Sequence, residues 1–239
     1  MRGWWQELAG LVLPVDCAGC GAARVLLCAG CREALSGAGA VRARPSPCPE
    51  GLPAVHAAAA YEGPVRAVLL AHKERGALPL AGALGAALAA AVWAGGVGVE
   101  EREVALVPVP SARRQVRARG HDPTRRIALA AAGRLRRAGV PARVAPVLRL
   151  RRAVADQAGL GARQRRENLS GALEVCRGGV RLTGGAAIVL VDDLITTGAT
   201  LTEAARAVRA ARLAGVAGLR AAVVAATRTE TRTEQKSRE

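Results

Sequence analysis

Aromatic residues are nearly absent from this chain of 239 residues. It has no Phe, and its aromatic side chains are Trp4, Trp5, Tyr61 and Trp93. Proteins that hold single-stranded nucleic acid commonly stack the bases on aromatic rings. The shortage argues against base stacking as the main contact with a nucleic acid. The apolar fraction of 51% is still ample for a packed core, which must be built from Ala, Val and Leu.

Two nucleotide-binding signatures are also missing. No Gly-x-x-x-x-Gly-Lys-Ser/Thr loop and no Gly-x-Gly-x-x-Gly turn lies at a predicted strand–helix junction. Hydrolysis of nucleoside triphosphates and a standard dinucleotide site are therefore not expected. No secretion signal is evident either, because Glu7 interrupts the short N-terminal apolar stretch and no small-residue cleavage site follows cleanly.

A long uncharged run lies between Arg75 and Glu100 and has enough residues to span a bilayer. It is mostly Ala and Gly, and four larger apolar residues recur in it at every fourth position: Leu80, Leu84, Leu88 and Val92. This period favours a helix with one buried face over a lipid-facing span. We expect a cytoplasmic protein without a membrane span.

Positive charge is abundant and unevenly placed. The chain carries a formal charge of +16, with arginine outnumbering lysine 33 to 2. The segment 111–166 holds 16 arginines against two acidic residues, which leaves +14 of the total in a quarter of the chain. This balance predicts affinity for polyanions. Either many of these arginines are ordinary solvated helix positions, or the segment also meets the backbone of a nucleic acid.

Four of the six cysteines fall within fifteen residues as two Cys-x-x-Cys pairs. They are Cys17, Cys20, Cys28 and Cys31. Two disulfides or redox-active pairs are the competing interpretations, but structural disulfides are rare in the cytosol and a redox pair needs only one such motif. We favour a structural zinc ion, whose coordination shell four thiolates fill. Cys48 is a candidate spare ligand, but it has no x-x-Cys partner.

Apolar runs alternate with Ala-rich helical stretches from residue 55 onward. The predicted strands are 55–61, 104–109, 144–148, 187–192 and 219–226. The predicted helices are 64–74, 78–94, 123–138 and 201–214. This alternation predicts an α/β fold with a parallel sheet covered on both faces. We divide the chain into a zinc-binding segment and linker (1–50), an α/β domain (51–227) and a solvated tail (228–239).

The most informative segment is VDDLITTGATL at 191–201. A buried strand is predicted to end in Asp192 and Asp193, followed by Thr196, Thr197, Gly198, Ala199 and Thr200 at a helix N-terminus. Hydroxyls and backbone N–H groups at such a point suit a phosphate, and Gly198 would let the backbone approach it. The two carboxylates suit sugar hydroxyls or a divalent metal. Together they predict a ribose 5-phosphate ligand. A simple N-capped helix would explain one of these residues, not all of them.

This segment resembles the phosphoribosyl pyrophosphate (PRPP) motif of type I phosphoribosyltransferases. The chain as a whole resembles the ComF family (ComFC/GntX-like). That resemblance extends over the four-cysteine segment, YEGPVR at 61–66, HK at 72–73, VPVP at 107–110, RG at 119–120 and the segment from Gln157 to Asn168. It implies a type I phosphoribosyltransferase-like sheet flanked by helices and preceded by a small zinc segment.

The resemblance also implies roles for individual residues. Asp192 and Asp193 would contact the ribose hydroxyls directly or through Mg²⁺, as the catalytic carboxylates, and residues 196–200 would bind the 5-phosphate. The turn at Ser111, Ala112 and Arg113 occupies the place of the pyrophosphate loop. Lys73 is a candidate phosphate contact; the alternative is a solvated helix end.

Three functions remain open at this stage. The first is a phosphoribosyltransferase that uses PRPP and Mg²⁺ and releases pyrophosphate. The second is a non-catalytic sensor of PRPP or a nucleotide. The third is an accessory of competence-related DNA uptake that binds single-stranded DNA or the uptake machinery through the basic segment.

Overall fold

The computed structural model describes residues 16–97, 103–152, 154, 161–213 and 218–227. The strands in this part of the chain are β1 (Val41–Ala43), β2 (Ala54–Ala60), β3 (Val104–Pro108), β4 (Ala142–Val144), β5 (Leu148–Leu150), β6 (Leu173–Val175), β7 (Ala187–Ile195) and β8 (Arg220–Ala226). The predicted tail at 228–239 lies outside the described residues.

Helices cover both faces of the sheet. They are α1 (Ala29–Glu33), α2 (Gly63–Glu74), α3 (Ala81–Ala94), α4 (Arg113–Arg119), α5 (Pro123–Arg137), α6 (Ala162–Leu169), α7 (Gly179–Thr183) and α8 (Ala199–Ala210), with a 3₁₀ turn at Leu78–Leu80. Among the described residues, none of these helices combines the length and the apolar character needed to cross a membrane.

Six strands form the main sheet in the order β1-β2-β8-β7-β3-β4. All its pairings are parallel except that of β1 with β2, which is antiparallel. The α/β class with a mostly parallel sheet is therefore confirmed. The linker predicted within residues 1–50 supplies the edge strand β1.

Two apolar clusters lie on opposite faces of this sheet, because side chains alternate between faces along each strand. In β7, Val189 and Val191 face one cluster, whereas Ile188 and Leu190 face the other. Helices α3 and α5 cover the first face, and α8 covers the second. The four-residue period predicted for α3 is confirmed, since the side chains at 80, 84, 88 and 92 are all buried.

Two predicted strand boundaries are wrong. The run 144–148 is not one strand: β4 ends at Val144, and after Pro146 the chain enters β5, which pairs with β6 in a separate ribbon. Proline cannot donate to a ladder, which ends the pairing at this point. Strand β7 continues to Ile195 instead of ending at Asp192, because Leu194 and Ile195 keep their register with β8.

Candidate functional site

The connections of β3 and β7 leave these neighbouring strands in opposite directions. The chain from β3 returns through α5 to β4 on one side, and the chain from β7 returns through α8 to β8 on the other. Ligands of open α/β sheets bind at such a switch point, beyond the carboxyl ends of the strands. The turn at 109–112 and the loop at 196–198 follow these two strands. The fold therefore brings both predicted loops to the same place, the carboxyl-terminal edge of the parallel strands.

Asp192 and Asp193 lie within β7 near its carboxyl end. The side chain of Asp193 is 8% exposed, and that of Asp192 is partly buried. Asp192 Oδ1 accepts a hydrogen bond of 2.8 Å from the backbone N–H of Asp193 and one of 3.5 Å from the hydroxyl of Thr124. Two adjacent carboxylates are thus held near the carboxyl end of this central strand. Their oxygens can coordinate a cation or accept hydrogen bonds from a diol.

Lys73 joins this pair from a helix that lies 120 residues earlier in the chain. It occupies the last turn of α2, and its Nζ lies 2.7 Å from Asp193 Oδ2. Its side chain is 34% exposed. Lys73 is therefore part of the carboxylate site and not merely a solvated helix end. Its contact with a phosphate stays a prediction.

The surroundings of Asp192 and Lys73 change their protonation. Burial raises the pKa of Asp192 well above its usual range, and the neighbouring carboxylate of Asp193 raises it further. For Lys73, burial disfavours the ammonium, but the carboxylates of Asp193 and Asp192 outweigh this effect and raise its pKa. Negative charge at Asp192 is therefore costly in the free protein, and a cation bound there would offset that cost.

The predicted phosphate loop leads directly into α8. Gly198 precedes the helix with a φ of +75° and has no side chain to cap it, and the backbone N–H of Ala199 donates a hydrogen bond of 3.5 Å to the hydroxyl oxygen of Thr197. A Cβ at Gly198 would meet Leu52 and Pro45 at 3.2 Å. The glycine is thus required by its left-handed backbone and by this packing, which is a different reason from the close approach of an anion that the sequence predicted.

The end of α4 lies next to the last turn of α2 through two contacts. Arg119, at the end of α4, donates to both carboxylate oxygens of Glu74, at 3.0 and 2.7 Å. His121 lies 3.2 Å from the backbone carbonyl of His72. Ser111 and Ala112 are partly buried and Arg113 is exposed at the start of α4. The HK pair at 72–73 and the RGH run at 119–121 therefore meet in space.

Sequence reasoning missed two residues at this edge. Thr124, which is 4% exposed, reaches Asp192 from the first turn of α5. Arg165 reaches the predicted phosphate loop from α6, with its Nη1 3.0 Å from Thr196 Oγ1. Neither contact has a signal in local spacing, since each joins residues more than 30 positions apart.

The four clustered cysteines form a second site. The Sγ atoms of Cys17, Cys20, Cys28 and Cys31 all lie within 4.8 Å of one another, and those of Cys20 and Cys28 are 3.6 Å apart. A tetrahedral zinc ion with Zn–S distances of about 2.3 Å needs sulfurs roughly 3.8 Å apart. The four cysteines can therefore hold a metal ion. All six cysteines are described and are free, and Cys48 is not in the cluster.

Thiol acidity in the cluster is unequal. The backbone N–H of Cys28 donates to Cys17 Sγ at 3.3 Å and lowers the pKa of Cys17 to about 6. Burial raises the pKa of Cys31, and neighbouring thiols add to this effect. Four thiolates this close repel one another, so a metal ion that binds them must displace protons.

The cysteine cluster packs against the helix that carries Lys73. Cys17 and Cys31 belong to the same apolar cluster as Val65 and Val68 of α2. A Cβ added at Gly19 would meet Pro64 at 3.2 Å and Cys31 Sγ at 2.6 Å. The contact is close enough for the position of α2 to depend on the cysteine segment.

The basic segment divides into paired and exposed arginines. Arg119, Arg143 and Arg149 form ion pairs with Glu74, Glu103 and Glu174. The exposed arginines of α4 form no hydrogen bond or ion pair with any residue in the described part of the chain; they are Arg113, Arg114 and Arg117. Some of the arginines of this segment thus form ion pairs within the protein. Others are exposed at the surface beside the turn after β3.

No family model matches the chain, and no curated protein matches it. The site is therefore interpreted from its own residues.

Proposed function

We propose that this protein binds PRPP, or a closely related ribose 5-phosphate ligand, together with Mg²⁺ at the edge of the sheet between β3 and β7. The observation that carries the proposal is the Lys73–Asp193 ion pair of 2.7 Å beside Asp192, next to a helix N-terminus that has a glycine at its N-cap and threonines around it. Carboxylates suit a diol or Mg²⁺, and the helix end suits a phosphate. Only a ligand with both groups uses both halves.

The resemblance of the chain to the ComF family supports the same ligand. In this proposal the loop at 196–200 binds the 5-phosphate, and Asp192 and Asp193 bind the ribose hydroxyls through Mg²⁺ or directly. Ser111, Ala112 and Arg113 lie where pyrophosphate would be bound. The arginine there would stabilise the charge that develops on the leaving pyrophosphate as a nucleophile attacks the anomeric carbon.

A resident zinc ion in the cysteine cluster is the second part of the proposal. It would hold Cys17, Cys20, Cys28 and Cys31 together as a structural ion, because four protein ligands leave no open position for catalysis. The cysteine segment packs against α2, which carries Lys73. By ordering this segment, the ion would help to hold Lys73 in position.

Calorimetric titration of PRPP with and without Mg²⁺ tests the binding proposal. We expect saturable binding that requires Mg²⁺ in the wild-type protein. A wild-type protein that binds no PRPP under either condition would contradict the proposal. Pyrophosphate release across a panel of nucleobases then separates the transferase, which releases it, from the non-catalytic sensor, which binds and does not release it.

DNA binding is a second candidate function, favoured by the exposed arginines of α4. Contacts from Arg113, Arg114 and Arg117 would go to phosphates and would lack sequence preference. Retention of single-stranded DNA should then fall steeply with salt, and changing the three arginines to Gln should reduce the salt slope by about 2 to 3. Equal retention and slope in the triple variant would exclude this surface. A role in competence-related DNA uptake rests on this binding and on the family resemblance.

A further inference from the structure

Arg165 differs from the other arginines of α6 in what it contacts. The helix carries three arginines, and Arg163 pairs with Glu167 in solvent. Arg166 is exposed and lines a surface groove beside Arg206 and Arg209. Arg165 is half-buried and donates from Nη1 to Thr196 Oγ1 at 3.0 Å. It is thus a cation brought to the phosphate loop from a separate helix.

The guanidinium of Arg165 is not fully satisfied within the described part of the chain. Its Nε is buried and has no hydrogen-bond partner there, and no carboxylate of the described residues pairs with it. Two other cations near this end of the sheet are already paired, Lys73 with Asp193 and Arg119 with Glu74, and the arginines of α4 that have no partner among the described residues are exposed. A buried cationic donor without an acceptor is unfavourable, and an anion is the partner that would satisfy it.

The contact with Thr196 also fixes what the loop can offer. A hydroxyl that accepts a hydrogen bond from a guanidinium retains its own O–H for donation. The loop then presents that hydroxyl, the N–H groups of the first turn of α8 that follow Ala199, and the remaining N–H groups of Arg165. All of these are donors, and phosphate oxygens only accept. The arrangement favours a phosphate monoester over a sugar or a base, both of which also donate.

We propose that Arg165 binds the phosphate monoester of the ligand and positions the Thr196 hydroxyl toward it. The location of the site rests on the proposed function, but the role of Arg165 concerns the phosphate alone and can be tested without pyrophosphate or Mg²⁺. The dianion of a monoester, which forms above a pKa of about 6, is the species that a guanidinium and a helix N-terminus together prefer.

The test is calorimetric titration of ribose 5-phosphate into wild-type protein, Arg165→Gln and the matched control Arg166→Gln. The control removes the same charge from the adjacent residue, which is exposed and whose side chain forms no hydrogen bond with the loop in the described part of the chain. We expect the affinity to fall roughly 10- to 100-fold in Arg165→Gln, the usual loss for a charge-assisted hydrogen bond. In Arg166→Gln we expect the affinity to fall less than about 3-fold, because the charge that is removed is exposed and screened by salt. Equal affinities in the two variants would overturn the proposal.

The pH dependence gives a readout that a merely structural role would not change. In wild-type protein the affinity for ribose 5-phosphate should rise between pH 5 and pH 7, as the monoester loses its second proton. In Arg165→Gln that rise should shrink, because the cation that favours the dianion is gone. An unchanged pH profile in this variant would argue against direct contact with the phosphate.

The variants also separate this inference from the proposed function. A wild-type protein that binds ribose 5-phosphate but not Mg²⁺–PRPP contradicts the proposed function, and the comparison of positions 165 and 166 still decides the role of Arg165. A wild-type protein that binds neither overturns both. If Arg165→Gln does not fold, Arg165→Lys provides the test of the proposal. Lysine keeps the positive charge but lacks the planar set of N–H donors of the guanidinium, so we expect about 3- to 10-fold weaker binding of ribose 5-phosphate. Unchanged binding in that variant would overturn the proposal.

Discussion

The two sites of this protein are built at very different ranges along the chain. The cysteine cluster collects all four sulfurs from fifteen consecutive residues, within 4.8 Å of one another. The edge between β3 and β7 collects Lys73, Thr124, Arg165 and Asp192–Asp193 from four elements, spread over 120 residues. A local site depends mainly on ligand spacing, whereas a distributed site depends on the whole sheet being in register. Substitutions at the two sites should therefore differ in whether they mainly affect folding or ligand binding.

Removing a cysteine ligand should have the largest effect. With Cys28→Ser, three thiolates remain, and we expect the metal to be lost and the segment 16–35 to unfold. Structural zinc contributes an apparent binding free energy of about 10 kcal/mol or more, all of which is folding free energy when the site does not exist without metal. Elemental analysis and thermal unfolding measure this. Cys48→Ser, outside the cluster, is the control and should keep its metal.

A metal-free wild-type protein that is fully folded would contradict the cysteine prediction. It would also remove the contrast between the sites, since the cysteine segment would then depend on packing alone, like the rest of the fold.

Neutralising both carboxylates should abolish ligand binding and leave the protein folded. In Asp192→Asn with Asp193→Asn, the affinity for Mg²⁺–PRPP should fall by at least about 100-fold, because Mg²⁺ is held by charged oxygen ligands. Calorimetry measures the affinity, and circular dichroism checks the fold. The control is Asp122→Asn at the N-cap of α5, where Asn caps as well as Asp. Binding by the double variant at wild-type affinity would contradict the assignment of these carboxylates.

Removing Lys73 should destabilise the fold by a smaller amount. Lys73→Met leaves the buried carboxylate of Asp193 without its cation, and we expect a loss of roughly 2 kcal/mol, less than for a fully buried pair because Lys73 is one-third exposed. Urea unfolding measures it. Adding Asp193→Asn should recover most of the loss, since no charge is then left unpaired. Purely additive effects in this double-mutant cycle would contradict the ion pair.

The smallest effect should be a stabilisation by Asp192→Asn alone. The raised pKa of Asp192 means that the folded state prefers the protonated carboxyl, so the wild-type protein loses stability as pH rises from the usual aspartate pKa through the raised one. At pH 7 the Asn variant should therefore be more stable by about 1 kcal/mol. The difference should nearly vanish near pH 3, below the usual aspartate pKa, where Asp192 of the wild-type protein binds a proton in both the folded and the unfolded state.

Urea unfolding of wild-type protein and Asp192→Asn at both pH values measures this stabilisation. A variant that is less stable at pH 7, or a difference that does not change with pH, would show that the charge of Asp192 is not costly in the free protein. Negative charge at Asp192 would then cost little free energy, and a bound cation would stabilise the folded protein less.

Much of the fold could be predicted because burial follows periodicity. The apolar run of β3, residues 188–191 of β7 and the four-residue period of α3 are buried in the structure, as expected for strands covered on both faces and for a helix with one packed face. The run 144–148 was predicted wrongly because apolar residues continue across two elements. Pro146 was the available signal for the break.

The end of β7 was missed for another reason. Aspartate is a poor strand former, so the sequence predicts a stop at Asp192. The neighbouring strand β8 instead continues to pair with Leu194 and Ile195, and tertiary pairing outweighs local preference. The carboxylates therefore lie inside the strand, where they are more buried than loop residues would be.

The sequence by itself determined the cysteine ligands, the two carboxylates and the loop at 196–200, because each is a short pattern whose members are neighbours in the chain. Only the tertiary structure decided that Lys73 pairs with Asp193, that Thr124 reaches Asp192, and that Arg165 donates to Thr196. These contacts depend on helices α2, α5 and α6 being packed around the carboxyl ends of parallel strands. Spacing along the chain carries no information about that packing, because strand order, not sequence order, sets which loops meet.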